Sequence, residues 1–282
     1  MPSFTVNDRE LHYLDQGSGF PLLLGHSFLW DSRVWARQLQ SLSEHFRCIV
    51  PDLWSHGQSQ VINESGLSID GLAEDHHQLM QHLNIDRYSV LGMSTAGLWG
   101  AKLALKYPDE VASLVLIGSS LSDETASKKQ QYLQLIDAVE TQAELTAELL
   151  DSIVQIYFSE EVQLLYPAVV ETFRFDLMFL EPEQMRGLVS LGRVLFQRQS
   201  MLEEVATIGC PTLLITGEND SACPVSDAQV QHDLIPGSQL ALIENAGHMP
   251  TLEQPDQVNP ILLNFLASID GVELDMSKLD YL

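Results

Sequence analysis

Val90-Leu91-Gly92-Met93-Ser94-Thr95-Ala96-Gly97 is the stretch of the chain best suited to chemistry. An apolar run reaches a glycine, a serine follows two residues on, and small residues surround it. That pattern predicts a strand, a tight turn and a helix, with Ser94 lifted clear of the sheet at the turn. Small neighbours are needed because such a turn brings backbones close together. The helix that begins here aims its first N–H groups at the serine, where negative charge developing on a substrate would be stabilised. A serine hydroxyl attacks a carbonyl carbon only when a base takes its proton. The other reading is a serine that merely caps the helix, and the local pattern leaves both open.

Nine histidines and three cysteines offer further chemistry. No H-x-H, HExxH or CxxC spacing occurs, so neither a zinc site nor metal-dependent lactone hydrolysis is expected. Cys48 and Cys210 adjoin apolar strand-like runs and read as buried free thiols. His76 shares the apolar face of a helical pattern with Leu72, Ala73 and Met80, and reads as a core histidine. His45, His77, His82 and His232 read as solvated. Lys128-Lys129 is a lone basic pair and reads as surface.

The elements that must position Ser94 follow from periodicity. Phe4-Thr5-Val6 and Leu11-His12-Tyr13 flank Asn7-Asp8, which predicts a hairpin. Short apolar runs at 22–24, 47–50, 88–91, 112–117, 212–215 and 240–243 suit strands covered on both faces. Helical spacing lies between them, with Ser32 and Ser68 as predicted N-caps and Pro108 as a stop. Strand–helix alternation implies an α/β fold with a mainly parallel sheet. Residues 122–204 break the alternation: their spacing is helical almost throughout, which predicts a helical insertion between the strands near 115 and 213.

Composition narrows the partners. The 282 residues carry 39 acidic and 14 basic side chains, a formal charge of −25. The bias runs through the main body and the insertion alike, so it is a property of the whole surface. Nucleic acid and anionic membranes are not expected partners, since both need a basic patch. With 45% hydrophobic residues the chain has ample material for a core. No basic-then-apolar leader and no apolar run of about 18 residues occurs, which makes a cytoplasmic setting the expectation.

Together the ordered motifs resemble the α/β-hydrolase superfamily from about residue 3 to about 268. They are Gly25-His26-Ser27-Phe28, Pro51-Asp52-Leu53-Trp54-Ser55-His56-Gly57, the Ser94 turn, Gly217-Glu218-Asn219-Asp220 and Asn245-Ala246-Gly247-His248. The resemblance implies an eight-stranded, mostly parallel sheet with helices on both faces. It implies a main domain at 1–121 and 205–270, a helical cap at 122–204 and an acidic tail at 271–282.

By the same resemblance Ser94 is the nucleophile, His248 the base and Asp220 the acid that orients it. The backbone amides of Thr95 and Phe28 would form the oxyanion hole, with Ser27 and Leu29 as other donors. Two positions depart from the family pattern: Ser27 follows His26 and Ser55 precedes His56, where glycine is usual. Leu29, Trp30, Met93 and Met249 adjoin the motifs and are expected on the substrate pocket, with core positions as the alternative. Phe173, Phe175, Leu177, Met178 and Phe179 would form a lid or hold the insertion down.

The implied reaction is hydrolysis of a carboxylic ester through an acyl-enzyme, with no cofactor and no metal. Lactone hydrolysis, C–C bond hydrolysis or perhydrolysis by the same triad, and slow-turnover ligand binding, are the alternatives. The expected partner is a small-molecule ester or lactone, and the chain is expected to be a monomer or a homodimer.

Overall fold

The computed structural model describes residues 2–62, 67–142, 145–158 and 160–270. The expected acidic tail at 271–282 lies outside the described residues. Eight strands form one sheet: β1 (Ser3–Val6), β2 (Arg9–Gly17), β3 (Phe20–Gly25), β4 (Phe46–Pro51), β5 (Tyr88–Met93), β6 (Val111–Ile117), β7 (Thr212–Gly217) and β8 (Gln239–Ile243). Their order is β1-β2-β4-β3-β5-β6-β7-β8. β2 pairs antiparallel with β1 and β4, and every other pairing is parallel. The β1–β2 hairpin turns at Asn7 and Asp8, with φ of 51° and 61°. Asparagine and aspartate tolerate this left-handed geometry, and it matches the twist of the strands.

Helices cover both faces. Before the insertion come α1 (Ala36–Leu42), α2 (Ile69–His82) and α3 (Thr95–Lys106). Between β6 and β7 lie α4 (Ala126–Gln142), α5 (Ala147–Tyr157), α6 (Glu160–Leu165), α7 (Pro167–Met178), α8 (Pro182–Phe196) and the short α9 (Leu202–Val205). α10 (Val225–Leu234), α11 (Pro250–Glu253) and α12 (Pro255–Asp270) are the last helices among the described residues. Ser68 caps α2 by accepting from Gly71 N–H at 3.0 Å. At the start of the first helical segment the cap is Asp31 rather than the expected Ser32, since the Asp31 carboxylate accepts from Arg33 N–H.

Alternation along the strands divides the core in two. Leu23, Ile49, Val90 and Leu114 pack under α2 and α3. Leu22, Leu24, Leu91 and Val115 face α1 and α12. His76 lies in the core as its helical position predicts. It is stacked on Trp99 with centroids 4.0 Å apart, and burial pushes its pKa down to about 4. His77 is not solvated: it is part-buried, with Nε2 3.1 Å from Glu110. Among the described residues no helix is long and apolar enough to cross a membrane.

Candidate active site

Ser94 sits between β5 and α3 with φ 52° and ψ −115°. A side chain in this region stores about 1–3 kcal/mol of strain, which the surroundings must hold. Tight packing does so. A Cβ on Gly92 would lie 2.6 Å from the Gly97 nitrogen, and one on Gly97 would lie 2.3 Å from Ser119 Oγ. Ala96 fits because Gly25 leaves room for its methyl group: a Cβ on Gly25 would fall 2.6 Å from Ala96 Cβ. Ser94 N–H donates to the Ile117 carbonyl at 2.7 Å, and the Ser119 hydroxyl donates to the Ser94 carbonyl at 2.8 Å. The Ser94 hydroxyl makes no capping bond to its helix.

It faces His248 instead. Nε2 of His248 lies 2.9 Å from Ser94 Oγ. Nδ1 lies 2.9 and 3.1 Å from the two Asp220 oxygens. In the neutral imidazole the Nδ1 proton belongs toward the carboxylate, which leaves Nε2 free to accept from the serine. Asp220, on the loop after β7, is itself held: Oδ1 accepts from the Ala222 and Cys223 amides at 2.9 and 2.8 Å.

Burial would depress the His248 pKa. The Asp220 carboxylate and, more weakly, Glu253 outweigh it, against a small opposing push from Lys128, so the pKa stands above its ordinary value. Glu253 also braces the loop. Its buried carboxylate accepts from Gly247 N–H and Met249 N–H, one on each side of His248. Burial raises the Glu253 pKa, and those two amides hold it back.

The loop after β3 completes the constellation. Phe28 N–H donates to Thr95 Oγ1 at 3.0 Å. Leu29 N–H donates to His56 Nε2 at 3.0 Å and is thus committed elsewhere. His56 and His26 work as paired brackets, each with Nδ1 on a backbone carbonyl and Nε2 accepting a backbone N–H. Each must be neutral to accept. Burial lowers both pKa values, that of His56 to about 3.

The departures from glycine have local reasons. The left-handed residue of the first loop is Leu29 at φ 66°, so Ser27 needs no special backbone. Ser55 does adopt φ 65°. Its hydroxyl accepts from Ile62 N–H at 3.0 Å, and Gly187 of α8 leaves it space, since a Cβ there would lie 2.2 Å from Ser55 Oγ. Asp52 joins two loops by accepting from Ser32 N–H and Gln58 N–H.

Ser94, Thr95 and His248 open into a cavity of about 120 Å³. Much of its wall comes from the insertion, including Ile136, Ile153, Met185 and Leu188. A second cavity of about 570 Å³ adjoins it, and the two share Leu29, Leu177, Leu180 and Leu188. Leu29 and Phe28 therefore reach the serine's cavity. Trp30 does not: it lines the outer cavity, stacked on Phe173 with centroids 4.8 Å apart.

Met93 and Met249 are corrections to the expected pocket wall, since both are fully buried in the core facing α1 and α12. Strand alternation puts Met93 on the same face as Leu91, and the Met249 side chain turns away where His248 turns inward. Of the apolar group at the end of α7 and just beyond it, Phe173 and Leu177 are buried, while Phe175, Met178 and Phe179 are exposed. A cation could be held by Asp220, Cys223 and His248, whose ligating atoms lie within 4.8 Å of one another. It would do so only by breaking the hydrogen bonds between His248 and its partners.

The sequence model of the α/β hydrolase fold matches residues 21–255, most of the chain. The chain belongs to the α/β-hydrolase family. A protein named for carbamate hydrolysis, RutD of Yersinia enterocolitica, is 28% identical over 253 residues, 86% of this chain and 85% of its own. A thermophilic esterase from Thermogutta terrifontis superposes with a TM-score of 0.85 at 27% identity, covering 95% of this chain and 97% of that one. An enol-lactonase from Burkholderia xenovorans superposes at 0.84 with 25% identity, covering 94% and 100%.

Four residues that the structure brings to the surroundings of Ser94 and His248 carry no motif in the sequence. Tyr157 of α5 donates its hydroxyl to the Phe28 carbonyl and packs its ring in a T-shaped arrangement with His248, centroids 5.5 Å apart. Glu124 and Arg198, from the two ends of the insertion, meet on the cavity wall at 2.8 Å. Glu253 is the fourth. None belongs to a local motif. Tyr157 carries one signal, a hydroxyl on an otherwise apolar helix face that needs a partner once buried.

Proposed function

We propose that the chain is a serine hydrolase of carboxylic esters that works through an acyl-enzyme. The observation that carries this reading is the unbroken line from Ser94 Oγ through both nitrogens of His248 to Asp220, opening on an apolar cavity. The likeness to the Thermogutta terrifontis esterase supports the ester reading.

In this mechanism Ser94 Oγ attacks the ester carbonyl while its proton passes to His248 Nε2. The imidazolium, held by Asp220, returns the proton to the departing alcohol. Water then enters and attacks the acyl-serine as His248 takes its proton; the intermediate collapses to the free acid while His248 returns that proton to the departing Ser94 Oγ. The oxyanion of each tetrahedral intermediate takes the amides of Thr95 and Phe28. The incoming oxygen replaces Thr95 Oγ1 as the acceptor of Phe28 N–H. Lactone opening is the second reading, favoured by the enol-lactonase likeness, and it needs no other group.

Fluorophosphonate labelling tests the reading: we expect one adduct per chain, on Ser94, with matching loss of hydrolysis of p-nitrophenyl butyrate. An adduct elsewhere, or full activity after labelling, overturns it. An ester series run beside simple lactones separates the two acyl classes.

Tyr157 has a defined part in this mechanism, because its hydroxyl anchors the carbonyl of the residue whose amide binds the oxyanion. Tyr157→Phe leaves that carbonyl with only the long contact from the Ser27 hydroxyl at 3.5 Å and costs about 1–3 kcal/mol of stability. It should lower kcat by about tenfold with little change in KM, since the lost order matters most when the oxyanion forms. Steady-state kinetics and a melting curve read both effects.

A further inference from the structure

The overall charge of −25 predicts a preference for neutral or cationic esters, and a local cation in the cavity would reverse it. The cavity does contain one. Among the described residues lining it, Arg198 is the only arginine or lysine and Glu124 the only carboxylate. They meet at 2.8 Å with side chains 5% and 14% exposed. The guanidinium is used further: it donates to the Ser122 carbonyl at 2.9 Å, to Leu195 at 3.1 Å and to Ser120 at 3.4 Å. Lys128, the nearby basic side chain of α4, is likewise spent on the Ser221 and Ala222 carbonyls. A carboxylate on a bound substrate would find no unanswered cation, and it would lie beside Glu124 in a low-dielectric wall.

Resting on the esterase reading, we infer that the acyl group of the substrate is uncharged and apolar, and that the Glu124–Arg198 pair excludes acyl chains ending in a carboxylate. The pair neutralises the single cation that could otherwise receive such a chain. The rest of the wall is uncharged and mostly aliphatic or aromatic, with Ile136, Ile153, Leu188, Tyr132 and Phe196 among its residues, and it recognises an acyl chain mainly by burial.

The test compares p-nitrophenyl hexanoate with mono-p-nitrophenyl adipate and with its methyl ester, which has the adipate's backbone without its charge. Wild-type kcat/KM should be at least about a hundredfold lower for the adipate than for the hexanoate. The methyl ester should recover to within about tenfold of the hexanoate. Glu124→Gln, which leaves the Arg198 charge unanswered, should narrow the hexanoate-to-adipate ratio by tenfold or more. A wild-type chain that prefers the adipate or treats both alike overturns the inference, and so does a folded Glu124→Gln variant with an unchanged ratio. If that variant does not fold, the methyl ester comparison in wild type decides.

Binding separates this inference from the reading beneath it. In Ser94→Ala, methyl hexanoate should bind at least tenfold more tightly than monomethyl adipate. That preference without any wild-type ester turnover would sink the esterase reading and leave the neutral cavity standing. Equal or reversed binding would sink the neutral cavity itself.

Discussion

Ser94→Ala should lower kcat for p-nitrophenyl butyrate by on the order of 10⁴- to 10⁶-fold while the melting temperature stays nearly unchanged. The two halves of this expectation separate the nucleophile from the helix cap. A serine that capped α3 would bond a helix N–H, and its loss would cost about 1 kcal/mol of stability with catalysis intact. The Ser94 hydroxyl makes no such bond and lies 2.9 Å from His248 Nε2. The strained backbone at φ 52° is common to serine and alanine, so the substitution neither relieves nor adds to it. Residual activity above about 1% of wild type, read on freshly purified protein at matched concentration, would refute the acyl-enzyme mechanism.

What the sequence made legible depended on how local the constraint was. The elbow was readable because Gly92 and Gly97 answer contacts within a few residues and one strand away. The hairpin was readable because Asn7 and Asp8 suit a left-handed turn. Short apolar runs located the strands, and the ordered motifs that follow them implied the proximity of Ser94, His248 and Asp220.

Adjacency to a motif proved a poor guide to the pocket. Met93 and Met249 each neighbour a site residue in the chain, yet one strand step or one turn reverses the direction of a side chain. Arg198 and Glu124 were illegible for the opposite reason: 74 residues apart, they meet only because the insertion folds back over the sheet. Ser55 and Gly187 are another such pair, fitted to each other across that contact.

Asp220→Asn should cost on the order of 10⁴-fold in kcat, the size seen when a triad aspartate is replaced elsewhere, and the local geometry explains why. Oδ1 accepts from both the Ala222 and Cys223 amides. An asparagine must keep its carbonyl oxygen there, because its amide group has no lone pair to offer two N–H donors. Its NH2 group then points at His248 Nδ1. The imidazole answers by carrying its proton on Nε2, the atom that should accept from Ser94, and the base is disabled without any loss of packing.

The pH profile gives an independent check. In the wild type the His248 pKa stands above its ordinary value, so kcat/KM should fall as pH drops through a midpoint above about 6.5. The groups that set it are Asp220 and Glu253, which raise it, and Lys128, which lowers it. Removing the Asp220 charge takes away the largest of the raising influences, so the residual activity of the variant should hold to a lower pH before it falls. An acid limb that stays in place would mean that Asp220 does not raise the His248 pKa, and a variant within a hundredfold of wild type would mean that it does not orient the base.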